Sequence, residues 1–327
     1  AIVAICAFVV HKNYAPQYKG SFFDLDYLGN AQEQSPRFLQ RKKDSQYFTV
    51  CASDFKKIPN SPIAYWLSEK AKSLFAHATP MGKFSPAKQG LATADNNRFL
   101  RGWHEVCWIK IKRDIDDITK VSASGYKWFP YNKGGTFRRW YGNQDYIVNW
   151  YNDGEEIRSF VDDNGKQRSR PQNTQCYFRE SISWSDVTSG LTSFRYFPTG
   201  FIYDITGMSA QSESNKKLNQ SLLLCNTKII DWFVKSLNPT LHFQIGNYSS
   251  LPMVETMLSQ INIGVAEQLI NLSKSDWNSY ETSCDFTTFP LLQSNYHQPT
   301  IQATYSQLRS HWQSITHQMK DLEQQNN

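Results

Sequence analysis

The sequence predicts a mixed α/β (α+β) fold with about two domains. A chain of 327 residues exceeds the usual size of one domain, and 40% hydrophobic residues can build a sizeable core. Residues 88–206 read mainly as short strands separated by turn residues, whereas the last third carries apolar residues at helical spacing. We therefore expect sheets in the middle of the chain and helices towards its end.

The first 80 residues open on the apolar run AIVAICAFVV, without Met. The run is about half as long as a membrane helix requires, and it lacks the basic residues and cleavage site of a signal peptide. We interpret residues 2–10 as a strand paired with residues 20–28. Residues 30–43 are predicted to be a polar connection, and Ser61-Pro62 to begin a helix. An abrupt start within a strand indicates a fragment of a longer protein.

A loop with Pro80, Gly82 and Pro86 is predicted to separate the domains. We assign residues 1–82 to a first domain, residues 83–300 to a second and residues 301–327 to a C-terminal helix. Asn152-Asp153-Gly154 and Asn164-Gly165 are typical of hairpin turns, because these residues accept the positive φ angles that such turns need.

The C-terminal helix carries an apolar seam with heptad spacing. Its members are Tyr305, Leu308, Trp312, Ile315, Met319 and Leu322. So short a seam more often docks a helix on its own domain than forms a dimer zipper, and we favour docking. Helices are also predicted at 215–237, ended by Asn238-Pro239, and around 254–272. Apolar surfaces at the two chain ends lead us to expect self-association.

Charge is spread unevenly along the chain. The net charge is +6, yet residues 1–82 and 83–200 carry +4 and +5, whereas residues 201–327 carry −3. This asymmetry suggests a polyanionic partner for the first two-thirds and a scaffold or protein contact for the last third.

The aromatic–basic segment, residues 127–151, reads KWFPYNKGGTFRRWYGNQDYIVNWY. It interleaves basic, amide and aromatic side chains around Gly134-Gly135, with almost no aliphatic residue. Basic groups neutralise phosphates, Asn and Arg read base edges, and aromatics stack on bases, so the segment suits a nucleic-acid surface. A Tyr/Trp-rich packing layer between two sheets explains the same residues equally well.

Nine residues of the second domain are candidates for DNA contact. The basic candidates are Lys133, Arg138, Arg139, Arg168, Arg170 and Arg195, and the amide candidates are Asn132, Asn143 and Asn173. Each has a structural alternative: an exposed Arg in a basic domain is more often solvated or salt-bridged, and Asn often satisfies a turn. Adjacent arginines on a strand point to opposite faces, so at most one of Arg138 and Arg139 faces a groove.

No catalytic, cofactor-binding or metal-binding motif is found. The six cysteines are spread singly, which indicates a reducing, cytoplasmic compartment rather than zinc or disulfide chemistry. There is no GxSxG, P-loop or GxGxxG, and nothing similar to the [DN]PPY tetrapeptide or the Gly-rich loop of amino-methyltransferases.

Several segments nevertheless resemble the PglX family, the adenine-specific DNA methyltransferases of BREX phage-defence systems. KWFPYNKGG and SDWNSYETS are the most specific, and GLATADNNRF is shared more loosely with restriction–modification methylases. Further similar segments include RPQN at 170–173 and those at 18–20, 54–66, 140–143 and 239–252. In the relatives we expect Gly where Ala94 stands, so we expect the turn there to differ.

The resemblance implies a non-catalytic portion of an N6-adenine methyltransferase. Residues 1–76 would end its Rossmann-like catalytic domain, and residues 83–300 would be a mixed-sheet domain that recognises double-stranded DNA. The cofactor loop and base-holding tetrapeptide would lie upstream, so S-adenosylmethionine is expected for the parent enzyme and none for this inactive chain. The remainder of the methyltransferase and other defence subunits are the implied partners, in the cytoplasm and without a membrane.

Two other function classes remain open. One is a protein-interaction module that docks partners through the acidic last third. The other is an RNA or single-strand binder that uses the aromatics of residues 127–151.

Overall fold

The computed structural model of the protein describes residues 7–10, 12, 15–25, 34–187, 190–237 and 241–327. The chain divides into two compact units, Ala1–His77 and Ala78–Asn327. Both contain helices and strands, so the predicted α/β class is confirmed. Within the described residues, no helix combines the length and apolarity that a membrane span needs.

A two-stranded antiparallel sheet organises the first unit. β1 (Lys19–Phe22) pairs with β2 (Phe48–Cys51). Three helices accompany the sheet: α1 (Gln34–Lys43), α2 (Ala52–Phe55) and α3 (Glu69–His77). The buried apolar side chains of the unit are Val50, Phe55, Ile58, Ala64, Leu67 and Ala71.

The first unit corrects several sequence predictions. Most of the strand predicted at 2–10 lies outside the described residues, residues 7–10 are not in a strand, and β1 pairs with β2. The polar connection predicted at 30–43 contains the helix α1. None of its ten residues is buried, so the sequence lacks the periodic apolar residues from which a helix is predicted. The helix predicted from Ser61 begins at Glu69, because Ser61 has a φ of +50°, outside the helical region.

The second unit is built on short strands. They are β3 (Thr79–Pro80), β4 (Ala87–Lys88), β5 (Leu100–Gly102), β6 (Trp128–Asn132), β7 (Tyr146–Asn149), β8 (Ser181–Ser183), β9 (Arg195–Phe197), β10 (Ile202–Tyr203), β11 (Ser209–Ala210) and β12 (Pro252–Met253). The described strands form two four-stranded sheets, β10–β6–β7–β5 and β4–β11–β8–β9, and the pair β12–β3. β6 runs antiparallel to β7 and parallel to β10.

Aromatic side chains form the core against β6 and β7. Phe129 packs edge-on against Phe178 at 5.6 Å, and Trp150 against Tyr177 at 5.5 Å between ring centroids. All four side chains are essentially fully buried. Each large ring buries as much apolar surface as an aliphatic side chain or more, so β6 is a core strand despite its lack of Val, Ile and Leu.

The helices of the second unit cluster towards the end of the chain. They are α4 (Met81–Phe84), α5 (Asn96–Phe99), α6 (Val121–Ser124), α7 (Tyr151–Arg158), α8 (Asn215–Cys225), α9 (Lys228–Leu237), α10 (Ile245–Ser249), α11 (Glu255–Leu258), α12 (Ile263–Trp277) and α13 (Ile301–Asn326). The single helix predicted at 215–237 is divided into α8 and α9. The division lies at Asn226, whose side-chain Nδ2 donates to the Phe194 carbonyl at 2.9 Å at the end of α8. The helix predicted around 254–272 corresponds mainly to α12.

The C-terminal helix α13 packs on its own unit, as we favoured. Leu308 is fully buried, and the Asn326 amide donates to the Leu223 carbonyl at 2.9 Å. The seam is only partly covered, since Tyr305 and Trp312 remain 51% and 39% exposed.

One of the two predicted hairpin turns is confirmed. At Asn164-Gly165 the Asp162 amide donates to the Lys166 carbonyl at 2.8 Å, which closes a tight turn. The prediction at residues 152–154 is wrong: Asn152, Asp153 and Gly154 all have left-handed angles and lead β7 into a helical turn.

Candidate nucleic-acid interface

The glycine loop, residues 133–138, follows β6 and is held by side chains from neighbouring loops. Gly134 and Gly135 have φ angles of +79° and +131°. Ser185 Oγ donates to the Gly135 carbonyl at 2.7 Å, and Asn143 Nδ2 donates to the Thr136 carbonyl at 2.9 Å. A Cβ on Gly135 would lie 2.7 Å from Asn143 Nδ2, so only glycine fits there.

Arg138, at the end of the loop, and Arg139, directly after it, both form ion pairs within the protein. Arg138 Nη2 lies 3.1 Å from Asp276 Oδ2, and its guanidinium lies 4.8 Å from the centre of the Trp277 ring. Arg139 Nη2 lies 3.2 Å from Asp231 Oδ2. The two side chains keep 27% and 17% exposure. The pairs fasten the glycine loop to helices α12 and α9.

Burial dominates the electrostatics around Arg139. It raises the pKa of the Asp231 carboxyl, although the positive charges of Arg139 and Lys235 act in the opposite direction. Arg139 Nη1 also lies 3.7 Å from Glu323 Oε2 on α13, whose other oxygen accepts a hydrogen bond from Trp140 Nε1 at 2.7 Å. The loop is therefore tied to α13 as well.

Asn132 and Lys133 belong to an internal polar network at the end of β6. Asn132 is buried, and its Oδ1 accepts the Gly134 amide at 3.1 Å. Lys133 Nζ lies 3.1 Å from Asp204 Oδ2, which also accepts the Tyr131 hydroxyl at 2.6 Å. Burial, with the Asp204 charge nearby, raises the pKa of Tyr131. The Lys133 side chain keeps 28% exposure, whereas that of Asp204 keeps 4%.

Arg195 lies inside the second unit, with no exposed surface. Its Nη2 donates to Ser185 Oγ at 3.0 Å, whereas Nε and Nη1 have no partner among the described residues. Burial lowers the pKa of Arg195 to about 10, with Asp145 acting weakly in the opposite direction. The Arg195 side chain therefore supports the glycine loop indirectly, because Ser185 Oγ in turn donates to the Gly135 carbonyl.

Arg168 and Arg170 are exposed and follow the hairpin turn at Asn164-Gly165. The Arg168 guanidinium lies 5.1 Å from the centre of the Phe160 ring. The backbone of Arg170 exchanges two hydrogen bonds with that of Ala92, at 2.8 and 3.0 Å, and these bonds fix the position of the Arg170 backbone. Neither side chain forms an ion pair with a described residue, so these two candidates offer their charge to solvent.

Asn173 and Ala94 sit in turns with left-handed backbone. Asn173 has a φ of +53°, and its Nδ2 donates to the Gln89 carbonyl at 2.8 Å, so the side chain is used by the fold. Ala94 has a φ of +61°, a conformation that glycine adopts at less cost. The turn at Ala94 is thus of the kind in which glycine is expected.

Three segments that carry the family resemblance meet in one place. They are GLATADNNRF at 90–99, KWFPYNKGG at 127–135 and RPQN at 170–173. The Tyr131 hydroxyl donates to the Leu91 carbonyl at 3.0 Å, which joins segments 127–135 and 90–99. The backbone hydrogen bonds between Arg170 and Ala92 join segment 170–173 to segment 90–99.

Sequence reasoning missed the acidic partners of the candidate cations. Asp204, Asp231 and Asp276 lie 71, 92 and 138 residues from Lys133, Arg139 and Arg138, respectively. No local pattern reports a pair at such separations. The net charge of −3 in residues 201–327 was the only signal, since it supplies the acids that neutralise the basic segment.

The remaining chemistry of the described residues is sparse. No group of three or more His, Cys, Asp or Glu side chains among them could hold a metal ion. A surface cavity of about 260 Å³ lies beside Arg179, Glu180 and Asn215. Acidic and basic groups line it together, so it favours neither an anion nor a cation.

Two known proteins match the chain along essentially its whole length. It is 35% identical over 334 residues to the adenine-specific methyltransferase PglX of Lacticaseibacillus casei (strain Zhang), covering 100% of this chain and 28% of that protein. It is 31% identical over 325 residues to the adenine-specific methyltransferase BrxX of Escherichia coli O9:H4 (strain HS), covering 98% of this chain and 25% of that protein. No protein-family model matches. The chain spans about a quarter of the length of these relatives.

Proposed function

Because this chain is homologous along its whole length to part of the adenine-specific methyltransferases PglX and BrxX, we propose that it is the DNA target recognition portion of a site-specific N6-adenine methyltransferase of a BREX phage-defence system. That whole-length relation is the observation that carries the proposal. Residues 1–82 are assigned to the end of the catalytic domain, residues 83–300 to target recognition, and residues 301–327 to a C-terminal helix.

Methyl transfer is assigned to the remainder of the enzyme. This sequence has no segment similar to the base-holding tetrapeptide or to the loop that cradles S-adenosylmethionine. The chain by itself is then inactive and does not bind the cofactor. Calorimetric titration of the isolated chain with S-adenosylmethionine tests this, and micromolar binding would contradict it.

We assign the backbone contacts with duplex DNA to Arg168 and Arg170 first. Both are exposed and form no ion pair with a residue that the structure describes, so binding a phosphate requires no such pair to be broken. Lys133, Arg138 and Arg139 are assigned a secondary role, because each already faces an acid. The buried or turn-bound candidates, Asn132, Asn143, Asn173 and Arg195, are assigned to the framework that holds the loops.

A duplex is favoured over a single strand as the ligand. Phe129, Tyr131 and Trp140 have no exposed surface and are not available to stack on unpaired bases, which leaves Phe137, Tyr146 and Tyr151 as the exposed aromatics of the 127–151 segment.

A second candidate function, docking of a partner subunit, is favoured by one observation. Ile301, Tyr305 and Trp312 of α13 are 82%, 51% and 39% exposed, and the last two rings lie 6.3 Å apart. Exposed aromatics are enriched in protein interfaces. Salt-dependent retention on DNA or heparin distinguishes the functions, since a docking module alone need not be retained.

The test uses the whole methyltransferase that contains this chain. Duplex affinity is measured at several salt concentrations for Arg168→Ala, Arg170→Ala and the double variant. Each lost phosphate contact should weaken binding to all sequences and reduce the log–log salt slope by roughly 1. Arg309→Ala, an exposed arginine on α13, is the matched control and should change neither quantity. Wild-type affinity and slope in the double variant would contradict the assignment.

A further inference from the structure

Phe137 is the aromatic of the glycine loop that the fold leaves uncovered. It is 58% exposed, whereas Phe129, Tyr131 and Trp140 of the same segment have no exposed surface. A single exposed aromatic is common on proteins. Phe137, however, lies on a loop whose backbone accepts hydrogen bonds from, and donates them to, side chains of neighbouring segments.

The backbone on both sides of Phe137 is fixed by hydrogen bonds. Before it, the carbonyls of Gly135 and Thr136 each accept a side-chain hydrogen bond, at 2.7 and 2.9 Å. After it, the Arg138 amide donates to Ser193 Oγ at 3.3 Å. The loop is therefore ordered before any ligand arrives, and an ordered loop loses little conformational entropy on binding.

The loop presents an apolar ring to solvent, whereas its cations are paired with acids. Arg138 and Arg139 point to the acids of α12 and α9, with 3.1 and 3.2 Å between the paired atoms. The Arg139 guanidinium lies 5.7 Å from the centre of the Phe137 ring and supports its base. The loop therefore carries an exposed phenyl ring on a backbone that is hydrogen-bonded on both sides of it.

We propose that Phe137 is a wedge that inserts between stacked base pairs of the bound duplex. This rests on the proposed function. DNA-binding proteins insert apolar side chains, Phe among them, at base steps and so unstack and kink the duplex. Lys133 and Arg138, on the same loop, keep 28% and 27% of their side chains exposed despite their ion pairs with Asp204 and Asp276.

The experiment uses the whole methyltransferase and a duplex that contains its methylation site, found by mapping N6-methyladenine in the host genome. 2-Aminopurine replaces each adenine in turn, because its fluorescence rises on unstacking, and DNA bending is read by energy transfer between end labels. The variants are Phe137→Ala and Phe137→Leu. Phe289→Ala, at a phenylalanine that is 48% exposed elsewhere in the unit, is the control.

We expect wild type to raise the fluorescence at one step. Phe137→Ala should abolish that rise, reduce bending and weaken binding roughly ten- to hundred-fold, since base–aromatic contacts are strong. The salt slope should not change, because no phosphate contact is lost. Phe137→Leu should retain most of the bending, because Leu also acts as a wedge. Thermal unfolding should be unaltered in both variants and in the control.

Three results would overturn the proposal, and each has a different meaning. If wild type binds the duplex and Phe137→Ala binds it equally, with the same fluorescence, then the wedge is wrong and the proposed function stands. If wild type shows no preference for duplex DNA, and the arginine variants also have no effect, the proposed function and the wedge both fail. Weaker capture of a protein partner by Phe137→Ala, without any change in DNA binding, would instead assign the ring to a protein contact.

Discussion

Arg139, beside the glycine loop, and Asp231, on α9, form an ion pair with 3.2 Å between Nη2 and Oδ2. Their side chains are 17% and 11% exposed, so the pair is largely removed from water. Such a pair contributes little net stability, because desolvation offsets the attraction, yet loss of one partner leaves an uncompensated charge. The pair therefore fixes the position of the loop relative to the helices.

Arg139→Ala should lower the free energy of unfolding by about 2–3 kcal/mol at neutral pH, somewhat less than for a fully buried pair. Burial already raises the pKa of Asp231, and loss of Arg139 raises it further. An acid with a raised folded pKa supplies stability below its unfolded pKa and loses it as pH rises through the folded pKa. The deficit of the variant should therefore shrink in acid.

Urea denaturation of the wild type and Arg139→Ala at neutral and acidic pH measures this effect. In the double variant Arg139→Ala/Asp231→Asn the pH dependence should largely disappear, and part of the stability should return. A deficit that is the same at both pH values would contradict the account of Asp231.

Ala94→Gly should stabilise the second unit by about 0.5–1 kcal/mol, because Ala94 has a φ of +61° and glycine adopts that angle without the Cβ penalty. Ala123→Gly is the control. Ala123 is exposed within α6, where glycine should cost about 0.5–1 kcal/mol. Chemical denaturation gives both values, and a destabilised Ala94→Gly would show that the turn needs its methyl group.

Leu308→Ala should cost about 2–4 kcal/mol of unfolding free energy, because Leu308 is fully buried on the face of α13 that packs against the second unit. Trp312→Ala, at a side chain that is 39% exposed, should cost clearly less. The comparison by denaturant unfolding tests whether the seam serves docking. A charged residue at Leu308 should thus unfold the helix, whereas charges at Tyr305 and Trp312 are the changes that should alter any self-association.

Arg195→Met should leave the unfolding free energy unchanged or raise it by up to about 2 kcal/mol, since Met fills a similar volume without the two buried nitrogens, Nε and Nη1, that have no partner among the described residues. Arg195→Ala should be destabilising, because it leaves a cavity. Duplex affinity of the whole enzyme should be nearly unchanged in Arg195→Met. A large loss of affinity with normal stability would return Arg195 to the DNA-contacting set.

The sequence was sufficient for the fold class, for α13 and for the turn at Asn164-Gly165, since each depends on local or periodic patterns. It failed where long-range packing decides. α1 has no buried residue and hence no apolar period, and residues 152–154 have a hairpin-like sequence but adopt three successive left-handed conformations.

The candidate site divides along the same line. The pair Gly134-Gly135 could be recognised from the sequence as a tight loop, because adjacent glycines are typical of positions where φ is positive. The burial of Arg195 and the pairing of Arg138 with Asp276 could not, because the partners lie in distant segments. Phe129, Tyr131 and Trp140 of the segment are buried, as its packing interpretation predicts, whereas Phe137, Tyr146 and Tyr151 are exposed; the nucleic-acid interpretation stays a prediction.

The most direct test of the central claim is an exchange of the unit Ala78–Asn327 for the corresponding segment of a related methyltransferase that modifies a different sequence. The modified sites are read by genome-wide mapping of N6-methyladenine, and the reciprocal exchange is made in parallel. If the unit recognises the target, each chimaera should methylate the sequence of the enzyme that donated the unit. Methylation that stays at the recipient's original sequence would contradict the account.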